Sequence, residues 1–66
     1  MNEKAITEFL ENHGDDLLSW RDGAVVIETY YKKQFIALGG NIDRLTALFE
    51  DYGNMQEAAE HYPKQN

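Results

Sequence analysis

The sequence predicts a small two-layer α+β domain, in the order helix, three-stranded antiparallel meander, helix, short helix. Three observations predict it. Amphipathic stretches with helical spacing, each closed by a glycine, stand at either end of the chain. Between them lies a run dense in β-branched and aromatic residues, and the Asp22-Gly23 pair near its start is a hairpin signal.

The first helix is expected over Glu3–His13. Asn2 can cap it, and Glu3 places an anion in the first turn, where the helix dipole favours one. Ile6, Phe9 and Leu10 fall on one face beside Ala5, and Gly14 is expected to stop the run as a C′ residue. Asp15 and Asp16 would then open a polar turn.

The segment from Leu17 to Leu38 fits two periodicities. As one long helix it would align Leu17, Trp20, Ala24, Ile27, Tyr31, Gln34 and Leu38 on a stripe, which Gly23 interrupts. Local preference opposes that reading, because six of the eight residues Ala24–Tyr31 are β-branched or aromatic and pack well on a pleated sheet. A type I′ turn at Asp22-Gly23 needs positive φ at both positions. It would pair Arg21 with Ala24, Trp20 with Val25, Ser19 with Val26 and Leu18 with Ile27. Leu18, Trp20, Val25, Ile27 and Tyr31 then share a core face, opposite Ser19, Arg21, Ala24, Val26, Glu28 and Tyr30. Only Leu17 and Val26 fit poorly.

A second turn at Tyr31–Gln34 would lead into a third strand, Phe35–Leu38, with Ile36 and Leu38 on the core face and Phe35 beside Tyr30 on the outer one. Gly39-Gly40 would end the sheet. Asn41 caps the next helix, whose stripe is Ile42, Leu45, Leu48, Phe49 and Tyr52, and Gly53 closes it. Asn54, with Glu57 three residues on as in a capping box, starts a short last helix that ends before Pro63. Residues 1–66 form one domain with a frayed tail over 63–66.

At 66 residues the chain can bury one modest core, and the absence of cysteine denies it disulfides and thiolate ligands for zinc. A cysteine-free chain suits a reducing cytoplasm. MNEKAITEFL lacks the apolar core of a signal peptide, and no run approaches membrane-spanning length, so no membrane partner is expected. Twelve acidic residues against six basic ones give a net charge of −6, which repels nucleic-acid phosphate and attracts basic surfaces.

No catalytic residue, metal ligand or cofactor is expected. Ser19, the only serine, has no glycine elbow, and His13 and His61 each end a predicted helix, where a cation suits the dipole. Glu57 and His61 share a helix face without further ligands for a closed metal site. Gly39-Gly40 lacks the lysine and the second glycine spacing of a phosphate loop.

Direct nucleic-acid binding is not expected either. GNMQEAAEHY is similar to the first half of a helix-turn-helix, but no recognition helix follows. The order helix, three strands, helix resembles double-stranded-RNA-binding domains in topology. Those place basic groups where this chain has Asp43, Glu50 and Asp51.

What remains is surface. Glu50, Asp51, Glu57 and Glu60 gather around the Gly53 bend, and Asp15, Asp16 and Asp22 mark loops. Glu50 and Asp51 stand at a helix C-terminus, against the dipole. Tyr30, Phe35 and Val26 would form an outer apolar strip for a protein partner. These residues predict a non-enzymatic interaction protein that binds a partner with a basic surface. In its sharpest form it is an inhibitor whose carboxylates mimic nucleic acid. In size, acidity and helix–meander–helix order the chain resembles small phage-encoded anti-CRISPR proteins, a likeness of architecture without a shared motif. The alternative is a self-associating structural or regulatory domain, a homodimer that buries the Tyr30/Phe35 face.

Overall fold

A 15-residue helix, α1 (Glu3–Leu17), runs straight through the glycine expected to end it. The computed structural model describes residues 3–63, so the expected cap at Asn2 and the tail beyond Pro63 lie outside the described residues. Gly14 is buried inside α1, and a Cβ there would lie 2.6 Å from Met55 Cγ. The glycine permits close packing of two helices instead of stopping one. Asp15 and Asp16 accordingly belong to the last turn of α1 and not to a loop.

The first hairpin forms in the expected register. β1 (Leu18–Arg21) pairs antiparallel with β2 (Ala24–Ile27), matching Leu18 with Ile27, Ser19 with Val26, Trp20 with Val25 and Arg21 with Ala24. Asp22 and Gly23 take φ of 51° and 79°, the two positive values that a type I′ turn requires.

The meander stops at two strands. Residues expected to turn and form a third strand make a helix, α2 (Thr29–Ala37). The β-branched run proper ends at Ile27, and beyond it Tyr31, Phe35 and Leu38 repeat at helical spacing. Glu28, extended at φ −79° and ψ 117°, donates its backbone N–H to Leu17 O and accepts from Lys32 N with its carbonyl, so one residue links hairpin to helix. Gly39 N donates to Ile36 O and Gly40 N to Phe35 O, the paired bonds of a Schellman motif, with Gly39 at φ 94°. The two glycines therefore end a helix and not a sheet. Gly40 has a second reason to lack a side chain, since its Cβ would lie 2.5 Å from the Phe35 ring.

The remaining elements follow their expected caps. α3 (Ile42–Tyr52) begins with Asn41 Oδ1 accepting from Arg44 N at 3.1 Å and ends at Gly53 in the left-handed region. α4 (Met55–His61) begins with Asn54 Oδ1 accepting from Glu57 N at 2.9 Å. No helix among the described residues is long and apolar enough to cross a membrane.

The protein is thus α+β, with four helices and a two-stranded sheet among the described residues. α1 packs on α2, α2 on α3, α3 on α4, and α4 returns to α1, while the hairpin attaches through α1. The ring encloses Ile6, Phe9, Leu10, Leu17, Leu18, Phe35, Leu45, Phe49, Met55 and Ala58. The switch from strand to helix exchanges two expected faces: Phe35, expected on the outer face, is fully buried, and Ile36, expected in the core, is 47% exposed. Ile27 lies at the surface, and Leu17, which fitted the hairpin poorly, is fully buried as the last residue of α1. Arg44 ties α3 to the end of α4, donating from Nε and Nη2 to Tyr62 O and lying over the Tyr62 ring.

Candidate functional site

All twelve carboxylates are exposed. Among the described residues one of them has a basic side chain within 4 Å: Asp16 Oδ2 lies 3.7 Å from His13 Nδ1. Among the described residues no lysine or arginine comes within 4 Å of a carboxylate oxygen, so the acidic charge there faces solvent. Burial explains none of these positions. Charged groups that fold without partners are available to partners from outside.

The fold sorts the expected acids into separate places. Asp22 stands at the hairpin tip. Glu50 and Asp51 occupy the last turn of α3, which has no basic residue, and Glu57 lies in the first turn of α4, across the Gly53-Asn54 bend. Glu60 follows Glu57 on α4 and borders a second feature. With Asp15 it lines a groove between α1 and α4, and Glu11, which composition alone did not single out, lines it too. Asp16 turns from the groove toward His13. The sequence signal for Glu11 is its i, i+4 spacing to Asp15, legible only once α1 is known to continue through Gly14.

The groove has a volume of about 510 Å³. Leu10, Met55 and Ala59 give it an apolar floor, and Glu11, Asp15 and Glu60 provide charge around it. Its position follows from Gly14, which brings Met55 against α1, and from the short side chain of Ala59.

The aromatic part of the expected contact is corrected. Phe35 is fully buried against Phe9, with ring centroids 6.1 Å apart, and against the edge of Tyr62 at 5.7 Å, so it cannot meet a partner. Helical spacing turns it to the core while Tyr30, in the first turn of α2, stays 68% exposed. Trp20, expected inside, is 45% exposed. Its ring stacks on Phe49 at 5.3 Å, and its Nε1–H donates to Gly53 O at 3.0 Å, which places it beside the Glu50–Asp51 turn.

The histidines have aromatic neighbours. His13 lies a turn inside α1, between Phe9 and Tyr31, whose ring centroids are 5.3 and 5.2 Å away. His61 closes α4, one turn on from Glu57, and stacks flat on Tyr52 at 4.3 Å. Among the described residues no group of three or more His, Cys, Asp or Glu side chains is arranged to hold a metal ion. Comparison with protein-family models, curated proteins and solved structures finds no match to this chain.

Proposed function

We propose that the protein is a non-enzymatic interaction module, acting in the cytoplasm, that binds the basic surface of another protein through its exposed carboxylates. In the sharpest form of this reading it is an inhibitor, of the kind that phages direct against nucleic-acid-processing proteins, and its acids occupy the places of phosphates. One observation carries it: twelve exposed carboxylates, of which a single one has a basic partner among the described residues. Glu50 and Asp51 add to it, since both sit where the α3 dipole disfavours an anion. With two strands in place of three, the likeness to anti-CRISPR proteins rests on size and charge. Self-association through Tyr30 and Phe35 loses its main anchor to the core.

The test is an affinity capture from the native host, repeated with Glu50, Asp51, Glu57 and Glu60 all changed to Lys. The reversed protein should keep its fold, because each of these side chains is exposed. It should no longer capture the partner of the natural chain. Binding by the natural chain should weaken steeply with salt, and the partner should lose it in competition with nucleic acid. A folded, reversed protein that binds the same partner with unchanged salt dependence overturns the reading.

A further inference from the structure

The groove between α1 and α4 joins an apolar floor to an acidic rim. Thr7 and Asp15, at its two ends, are eight residues apart on α1, or about 12 Å at 1.5 Å per residue. That length matches about two turns of a helix lying alongside. Leu10, Met55 and Ala59 present carbon to such an occupant, and Glu11, Asp15 and Glu60 present carboxylates with no lysine or arginine within 4 Å among the described residues, Lys4 lying past Thr7 and Pro63 in the adjoining pocket. An acidic or neutral helix would leave that charge uncompensated, and a purely basic strand would leave the floor wet.

We propose that this groove seats an amphipathic helix of a partner protein, one that carries an apolar stripe flanked by Lys or Arg. The mode is that of a helix laid in a groove, with apolar anchors giving affinity and the charged rim giving orientation. The proposal rests on the reading of the protein as a binder of basic surfaces, and it locates the contact on the α1–α4 side and away from the Gly53 bend.

The experiment titrates the full chain with three synthetic 14-residue helical peptides, followed by fluorescence anisotropy and by amide chemical shifts. One peptide has a Leu stripe flanked by Lys and Arg. The second keeps the stripe and exchanges the basic residues for Glu. The third keeps the basic residues and replaces Leu with Ser. The first should bind saturably, at least tenfold more tightly than the others, and should shift amides of Thr7–Asp15 and Met55–Glu60. Ala59→Trp, which fills the groove from its floor, should weaken that peptide at least tenfold. Glu11→Gln, a surface change that leaves the packing alone, should weaken it several-fold. The proposal falls if no saturable shift appears in the groove, if the Ser peptide binds equally well, or if the shifts centre on Glu50 and Asp51. It also falls if the groove amides shift with concentration of the protein alone, since the occupant would then be a second copy. Glu60 belongs to both surfaces, so the capture experiment is also run with Glu50, Asp51 and Glu57 alone reversed, and the two readings then fail separately.

Discussion

The indole Nε1–H of Trp20 donates to the carbonyl oxygen of Gly53 at 3.0 Å, across 33 residues of chain. One bond therefore pins the hairpin to the bend between α3 and α4. The Gly53 carbonyl belongs to a left-handed C-cap and lies outside the helical ladder. Stacking on Phe49 covers one face of the same ring and leaves the other to solvent.

That arrangement separates two energies. Trp20→Phe keeps the stack and loses the donor, and should cost about 1 kcal/mol, the net worth of one hydrogen bond. Trp20→Ala loses both and should cost about 2 kcal/mol, below the ~3–5 kcal/mol of a fully buried aromatic because nearly half of the side chain is already wet. Chemical denaturation measures both. Tryptophan emission should be accessible to acrylamide, and emission protected from it would contradict the exposure of the ring.

The hairpin tip offers a cleaner backbone test. Apart from its two chain neighbours, no described residue places a heavy atom within 4 Å of a Cβ built on Gly23, so substitution there meets no steric obstacle beyond its own φ of 79°. Gly23→Val should therefore cost at least about 1 kcal/mol through left-handed strain alone. A rise in melting temperature would mean that the turn is not type I′.

Gly14 should behave differently, because its constraint comes from a neighbour. Alanine improves helix propensity by about 1 kcal/mol over glycine, but the added methyl meets Met55. In the natural background the two effects oppose each other. In a Met55→Ala background only the propensity gain survives, so Gly14→Ala should be more favourable there by about 1–3 kcal/mol, the usual range for overpacking. A double-mutant cycle by denaturation reads that coupling directly, and additive effects would refute the contact.

Thr46 carries the reverse kind of defect. Its Oγ1 is buried in the middle of α3 without a hydrogen-bond partner among the described residues. Thr46→Val keeps the shape and removes the stranded hydroxyl, so it should stabilise the protein by about 1 kcal/mol. A destabilised variant would show that the hydroxyl is satisfied in solution.

The hairpin and the caps of α3 and α4 were legible in the sequence because short-range chemistry decides them. Asp22-Gly23 admits few turns, alternation sets the register, and Asn41, Gly53 and Asn54 act within their own neighbourhoods. α2 was not legible, since Tyr30 and Tyr31 suit a strand as well as a helix and Glu28 supplies no capping side chain. The decisive signal was Gly39-Gly40 as a Schellman end, which a sheet boundary also explains. Gly14 misled for a related reason. A glycine that stops a helix and one that admits a neighbouring helix look alike until Met55 is placed. The site inherits both outcomes. Its charge was readable from composition, but Glu11, Asp15 and Glu60 could not be grouped until α1 ran on past Gly14 and brought them to one groove.

Salt should act on folding and on binding with opposite signs. Exposed carboxylates without basic partners repel one another, so added salt, by screening them over a Debye length of about 8–10 Å, should raise the melting temperature of the isolated protein. The same screening should weaken its hold on a basic partner, mainly through a slower association rate. Asp51→Lys puts both effects into one substitution. At the end of α3 a cation favours the dipole that aspartate opposes, so the variant should melt about 2–4 °C higher at low salt. Its association with the partner should nevertheless slow. A residue whose replacement stabilises the fold while impairing binding is held in place by function and not by folding. Calorimetry and surface-plasmon kinetics on the same variant decide the matter. If Asp51→Lys raises the melting temperature and leaves association unchanged, the acids of the α3 end serve solubility alone.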